Sequence, residues 1–272
     1  MISKKRVLVT GASGFLGSHL CQSLKKKNID YIGFSRRDGS MVDCVVDDYK
    51  ELISSYKENN ILINLAGNNT NMDVNEQKII SELSDVYKNN MIFISSSSVY
   101  GSYNDEKVSE SMILNDTNDY AKSKILSEKV VFNNKGLILR LSNVYGKGMS
   151  KNKLFYDIYN QINNKSSHLK LRNINVIKDY LYIDDFCDAI NIILEKPLKN
   201  TIINLGSGIG EKSIKLVEVI CRNLNKDFSK LKISSKEDTP IKNILNTDLF
   251  KKEYDWTSNI NIENGIYKWI KN

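Results

Sequence analysis

Only two histidines stand in the chain, His19 and His168, and that scarcity excludes a histidine-rich metal centre. The four cysteines, Cys21, Cys44, Cys187 and Cys221, are scattered without metal-ligand spacing, so no metal site is expected. With no export signal they read as reduced thiols. Apolar runs are short, and none approaches the roughly 18 residues that a membrane span needs. Lys4, Lys5 and Arg6 precede only three apolar residues, Val7 to Val9, which is too little for a signal peptide. A cytoplasmic protein with no membrane anchor is expected. Proline is scarce, and neither an internal repeat nor a low-complexity linker divides the 272 residues. The net charge of +7 comes without a finger or stacking-aromatic motif, and its lysines are spread along the chain. That pattern argues against nucleic acid and leaves a phosphate-bearing small molecule as the partner.

With 41% hydrophobic and 26% charged residues, the composition supports an ordinary packed core. Short β-rich runs alternate with helical patterns through the first two thirds. Strands are predicted at Arg6 to Thr10, Tyr31 to Phe34, Cys44 to Val46, Ile61 to Ala66, Met91 to Ile94 and Leu137 to Leu141. Helices are predicted at Phe15 to Lys27, Asp48 to Glu58, Val74 to Lys88 and Asn118 to Phe132. Apolar runs of four to six residues without alternation suit strands buried on both faces. Alternating strand and helix implies right-handed crossovers and an α/β, Rossmann-type, doubly wound parallel sheet.

After Gly146 the rhythm loosens. A helix over Leu154 to Ile162 is followed by a polar stretch to Asn175, then a strand at Tyr180 to Ile183. A helix follows at Asp184 to Leu194, with Asp184 or Asp185 as its cap. Beyond it come a strand at Thr201 to Leu205 and helices at Ser213 to Leu224, Thr247 to Tyr254 and Ile262 to Ile270. The division expected is a dinucleotide-binding domain over 1–146, with a return segment at about 176–196. Residues 147–175 and 197–272 would form a small C-terminal α/β substrate lobe.

Thr10-Gly11-Ala12-Ser13-Gly14-Phe15-Leu16-Gly17 joins the first strand to the first helix. Gly11 permits the tight turn, Gly14 lets the backbone approach a pyrophosphate, and Gly17 lets helix and strand pack closely. The helix N-terminus presents free N–H groups and a positive dipole end to an anion. Ser13, Phe15 and Leu16 complete this candidate cofactor loop. The second strand runs into Ser35-Arg36-Arg37, where an acidic residue would take the ribose hydroxyls of NAD. Arginine suits a 2′-phosphate instead, so NADP is expected over NAD, with Arg36 the contact and Ser35 beside it. Leu65, Ala66 and Gly67 end the fourth strand, where small residues permit close approach of the cofactor.

Tyr120-Ala-Lys-Ser-Lys124 lies early in a predicted helix, and residues four apart share a face. Ser95 to Ser98 follows a buried strand at the carboxyl edge, where such sheets bind ligands. A carbonyl accepting a hydride must gain a proton on oxygen. Free tyrosine has a pKa of about 10, so a neighbouring ammonium is needed to poise it. A serine hydroxyl can donate to the same oxygen.

The glycine loop resembles the Thr-Gly-x-x-Gly-x-x-Gly loop of short-chain dehydrogenases/reductases, in their extended branch. Ser95-Ser-Ser-Ser-Val-Tyr-Gly101 is similar to that family's Ser-Ser-x-x-Val-Tyr-Gly, and the resemblance makes Ser96 the catalytic serine with Tyr120 and Lys124. Leu139-Arg140-Leu-Ser-Asn143-Val-Tyr-Gly146, Lys178-Asp-Tyr-Leu-Tyr-Ile-Asp184-Asp185, Asn204-Leu-Gly-Ser-Gly208 and Tyr254-Asp-Trp256 extend the likeness over nearly the whole chain. The resemblance implies NAD(P)-dependent chemistry on a nucleotide-diphosphosugar. It places Asp47 and Asn75 at the cofactor and Ser97, Asn143 and Lys178 at the substrate, and it allows a homodimer.

Departures narrow the reaction. Sugar 4,6-dehydratases carry Asp-Glu immediately after the catalytic residue; here Ser97 and Ser98 stand there, which argues against dehydration. Lys178 replaces the usual Arg, and Asp119 replaces the Pro before the tyrosine. The first expectation is a 4-keto-6-deoxysugar nucleotide reductase with Tyr120 as general acid. A nucleotide-sugar 4-epimerase retaining NAD, a reductase of non-sugar carbonyls and a non-catalytic dinucleotide sensor or scaffold are the alternatives.

Overall fold

The computed structural model describes residues 5–47, 49, 55–56, 60–67, 74–103, 107–164, 168–237 and 239–271, with backbone alone at 74 and 75. The strands β1 (Val7–Thr10), β2 (Tyr31–Ser35), β3 (Cys44–Val45), β4 (Ile61–Asn64), β5 (Met91–Ser96) and β6 (Leu137–Leu141) belong to one sheet. A further strand, β10 (Ile202–Leu205), completes it in the order β10-β6-β5-β4-β1-β2-β3. Every pairing in it is parallel. Strand order reverses direction at β1, between β4 and β2, which opens a crevice at the carboxyl ends of β1 and β4.

The non-alternating apolar strands are buried on both faces, as their composition requires. Val7, Val9, Ile61, Ile63, Ile92, Ile94, Leu137 and Leu139 point to one face. That face packs on Leu20 and Leu24 of α1 (Phe15–Lys26) and on Phe186 and Ile190 of a later helix, α5 (Ile183–Leu194). Leu8, Leu62, Met91, Phe93 and Ile138 point to the other face. They meet Ile80 and Leu83 of α2 (Val74–Tyr87) and Val131 of α3 (Asp119–Asn133). The fold is therefore a doubly wound parallel sheet, as expected from the sequence. The predicted helix at Asp48 to Glu58 falls almost wholly outside the described residues.

The remaining third departs from the sequence reading. After β7 (Asn143–Tyr145) and α4 (Leu154–Asn163), the stretch expected to be merely polar contains β8 (His168–Asn173). It pairs in parallel with β12 (Lys232–Glu237), some sixty residues on, and buries Leu169 and Leu171. The next strand, β9 (Val176–Tyr182), begins four residues before the predicted one, because its first residues pair with β11 (Gly210–Lys212) and β13 (Ile241–Asn243). Its last three residues pair with β7. Ile183 opens α5, and Tyr182 precedes it without a side-chain cap, so neither Asp184 nor Asp185 is the cap. The Asp185 carboxylate instead accepts the N–H groups of Asn259 and Ile260, which docks the chain approaching the last helix. The outer helices are α6 (Ser213–Asn223), α7 (Asp248–Tyr254) and α8 (Ile262–Lys271). No helix of the described residues is long and apolar enough to cross a membrane.

Candidate active site

The phosphate loop is held where the sheet opens. Thr10 Oγ1 donates to Asn64 Oδ1 at 2.6 Å and accepts the N–H groups of Leu65 and Ala66, each at 3.2 Å. This ties the ends of β1 and β4 together. Gly11 has φ +73°, and a Cβ there would stand 3.0 Å from the Ala66 nitrogen. A Cβ on Gly17 would lie 2.1 Å from the Gly11 carbonyl oxygen, so the first turn of α1 rests directly on the loop. Gly14 precedes α1 without a side-chain cap, and no acidic residue stands in the helix's first turn. The loop thus offers bare backbone and an unneutralised dipole end.

Ser13 Oγ and Ser35 Oγ hydrogen-bond at 2.6 Å, fastening the loop to the end of β2. Arg36 is exposed immediately beyond it, and Asp47 is exposed just past β3. Phe15, Leu16, Leu65 and Ala66 are half-buried along the crevice, and Gly67 is exposed at its far end. A dinucleotide fits this donor set: glycines where a Cβ would obstruct, N–H groups for a diphosphate, and a guanidinium beside the second strand.

The candidate reacting centre lies where α3 packs on β5 and β6. Asn118 caps α3 by accepting the Ala121 N–H at 2.9 Å, which sets Tyr120 in the first turn. Tyr120 is half-buried, with Ser96 of β5 near enough to act on its hydroxyl. Lys124, one turn on, is buried; its Nζ donates to the Ile94 carbonyl at 3.3 Å and lies 4.8 Å from the centre of the Phe93 ring. The ammonium is 5.8 Å from the centre of the Tyr120 ring. Burial holds the tyrosine above its ordinary pKa, the Ser96 hydroxyl draws it down, and the charge of Glu76 raises it further. Burial pushes Lys124 below its ordinary range, against the opposing charges of Glu76 and Glu128.

The three strands around β9 bring the candidate substrate residues to the same edge. Asn143 Nδ2 donates to the Asp179 carbonyl at 3.1 Å, and Lys178 is the register partner of Asn243. Asn243 Nδ2 in turn donates to the carbonyls of Ser97 at 3.0 Å and Gly101 at 2.8 Å. Ser97 is buried, and Lys178 is half-buried, with burial and the charges of Lys153 and Arg172 lowering its pKa. Asn75 lies in the first turn of α2, but its side chain is outside the described residues.

Several residues at the site had escaped notice in the sequence. Tyr49 is buried, and burial raises its pKa against the charge of Arg36 and the Gly11 backbone. Glu76 and Lys124 both approach Gly67 on the side where a Cβ would stand, 2.9 Å and 3.5 Å from that position. Glu128 continues the Tyr120–Lys124 face of α3 by one more turn, a spacing that could have revealed it. Asn243 had no motif to mark it.

A glycine phosphate loop at the switch point and a serine–tyrosine–lysine set at the carboxyl edge define a Rossmann enzyme of the short-chain dehydrogenase/reductase type. The family model described as "NAD dependent epimerase/dehydratase family" matches residues 7–206, and the chain belongs to that family. It is 29% identical to the dTDP-4-dehydro-6-deoxyglucose reductase of Escherichia coli, over 98% of this chain and 97% of that one. It is 26% identical to the GDP-6-deoxy-D-talose 4-dehydrogenase of Aggregatibacter actinomycetemcomitans, over 79% of each. The fold is similar to that of the dTDP-glucose 4,6-dehydratase of Bacillus anthracis in complex with NAD, with TM-score 0.84 and 20% identity over 98% of this chain and 96% of that one.

Proposed function

We propose that the chain is an NADP-dependent reductase of a 4-keto-6-deoxysugar nucleotide, with Tyr120 as general acid. The observation that carries this reading is the buried Lys124 one helical turn beyond Tyr120, its ammonium 5.8 Å from the centre of the tyrosine ring, with serines at 97 and 98. Ser96 and Tyr120 present two hydroxyl donors to one carbonyl oxygen. The Tyr120 proton passes to that oxygen as the carbonyl carbon is reduced, and the Lys124 ammonium stabilises the tyrosinate left behind until water restores its proton. The glycine loop, Ser35 and Arg36 would hold a reduced nicotinamide dinucleotide, which would supply the hydride. Loss of water from a sugar needs one group to take a carbon-bound proton and another to protonate the departing hydroxyl. The hydroxyls of Ser97 and Ser98 can serve as neither at neutral pH. The names of the two curated relatives, a 4-dehydro-sugar reductase and a 4-dehydrogenase, support chemistry at a sugar C4.

The test begins with assaying the purified protein for dinucleotide carried through purification. It continues with fluorescence titration by NADPH and NADH, and NADPH oxidation in the presence of dTDP- and GDP-4-keto-6-deoxysugars. Exchangeable NADPH, weak NADH binding and turnover of a ketosugar nucleotide are expected. Tightly bound NAD that does not exchange would overturn the reading and make the protein a 4-epimerase.

A further inference from the structure

We propose that Asn243 is a positioning residue that orients the Ser96 hydroxyl through the peptide unit between Ser97 and Ser98. The inference rests on the reading of Ser96 as a hydrogen-bond donor to the substrate's carbonyl oxygen.

The relay runs through one peptide plane. Ser96 closes β5, and the tight turn Ser97–Tyr100 follows it. The Ser98 N–H donates to Ser96 Oγ at 3.2 Å. On the opposite edge of the same peptide unit, the Ser97 carbonyl accepts Asn243 Nδ2 at 3.0 Å. The unit is trans, so it is planar, with its N–H and C=O pointing in opposite directions. Holding the carbonyl therefore sets the direction of the N–H. A serine hydroxyl has one proton and two acceptor sites. With the Ser98 N–H on one acceptor site, the Ser96 proton is directed away from the turn. Hydrogen bonds in such a chain polarise one another, from the amide through the peptide to the hydroxyl.

The Asn243 amide spans the turn, because its Nδ2 also donates to the Gly101 carbonyl at 2.8 Å. It is brought there by β13, which pairs with Val176–Lys178 of β9 and whose Lys242 carbonyl accepts the Tyr103 N–H at 3.1 Å. The side chain is 7% exposed. Both groups that it meets are acceptors, so only the NH2 end can face them, and Oδ1 is left without a hydrogen-bond partner among the described residues. A buried acceptor without a partner is unfavourable, and the two donations to the turn offset it. The rest of the turn is held by its own backbone: the Gly101 N–H donates to the Ser98 carbonyl at 3.1 Å and the Asn115 N–H to the Val99 carbonyl at 2.8 Å. The turn therefore forms without Asn243. What Asn243 sets is the tilt of its first peptide, and so the direction in which Ser96 donates.

The first measurement needs no substrate. In the full chain labelled with 15N-serine, the Ser98 amide is assigned by its loss in Ser98→Ala. Its hydrogen exchange is then followed in the parent, Asn243→Leu and Ser96→Ala. Each of the two variants is expected to speed that exchange about tenfold, the effect of one weakened hydrogen bond. A Ser98 amide that exchanges in Asn243→Leu as it does in the parent would overturn the proposal, whatever the substrate. The second measurement is a double-variant cycle on NADPH-dependent reduction of a ketosugar nucleotide. Asn243→Leu is expected to lower kcat about tenfold, with KM and NADPH affinity within about threefold of the parent. Added to Ser96→Ala, it is expected to lower kcat by less than about twofold, because the group it acts through is gone. Additive losses would make Asn243 a purely structural residue and overturn the proposal. Asn243→Ala, smaller at the same position, is expected to give the same pattern and serves if the leucine does not fit. If the Ser98 amide responds as expected but no ketosugar nucleotide is reduced, the coupling of Asn243 to Ser96 stands and the reductase reading falls.

Discussion

Arg140 and Glu128 form a buried, forked ion pair that fastens α3 to the sheet. Nη2 meets Oε2 at 2.7 Å, while Nε lies 3.1 Å from Oε1 and 3.2 Å from Oε2. Both side chains are almost fully buried. The arginine also donates to the Tyr100 hydroxyl at 3.0 Å, and that hydroxyl donates to Asn204 Oδ1 at 2.7 Å. One network thus joins α3, β5, β6 and β10 beneath Lys124. Arg140→Met leaves the carboxylate buried without its partner and is expected to cost about 3–5 kcal/mol. Joint replacement by Glu128→Leu and Arg140→Met is expected to recover much of that loss. Urea unfolding of the single and double variants measures both, and a loss below about 1 kcal/mol in Arg140→Met would contradict the assignment.

Gly17 supports α1 on the phosphate loop with no room for a methyl group. The atom a Cβ would strike, 2.1 Å away, is the backbone oxygen of Gly11, which no rotamer change can remove. Gly17→Ala is expected to destabilise the fold by about 1–3 kcal/mol and to weaken NADPH binding more than this implies, because the loop itself must move. Thermal melts with and without NADPH separate the two effects. Equal melting temperatures for variant and parent would show that the contact is relieved elsewhere.

In the proposed reaction Tyr120 donates the proton, and the loop and Arg36 hold the dinucleotide. Tyr120→Phe is therefore expected to lower kcat by about 10² to 10⁴. NADPH affinity should stay within a few-fold of the parent. Steady-state kinetics and fluorescence titration on the same preparation give the two numbers. A variant retaining more than a tenth of the parent kcat would assign the proton to another group.

Arg36 is exposed beyond Ser35, and in the proposed reading it takes the 2′-phosphate of NADPH. Arg36→Ala is expected to weaken NADPH binding about tenfold, the effect of losing one charge-assisted hydrogen bond, and to leave NADH unchanged. Competitive fluorescence titration reads the ratio. An unaltered preference would move the discrimination to Arg37 or to the segment after β3.

The sheet and the reacting face of α3 were legible because their signals are local. Apolar strands such as Ile61–Asn64 need no partner to be recognised, since their neighbours on both faces require uniform hydrophobicity. Tyr120 and Lys124 share a face by helical geometry alone. The glycines at 11, 14 and 17 announce a loop whose space requirements follow from covalent geometry. In each case a stretch of fewer than ten residues carries the whole message.

The outer strands and the charge environment depended on contacts between distant segments. Three-residue strands at Asn143–Tyr145, Gly210–Lys212 and Ile241–Asn243 have no periodicity of their own; β9 organises all three. Leu169 and Leu171 alternate with polar residues, but they are buried only once β12 arrives from sixty residues away. Asp184 and Asp185 look like caps until the tail docks on Asp185. Glu76 acquires its place beside Lys124 only through the packing of α2 on α3 across Gly67. By itself the sequence determined the class of fold and the shared helical face of Tyr120 and Lys124, both of which follow from short-range backbone and side-chain geometry. Which charges surround that pair, and which residues close the substrate edge, was decided by tertiary packing, because Coulomb interactions depend on distances that only the folded chain defines.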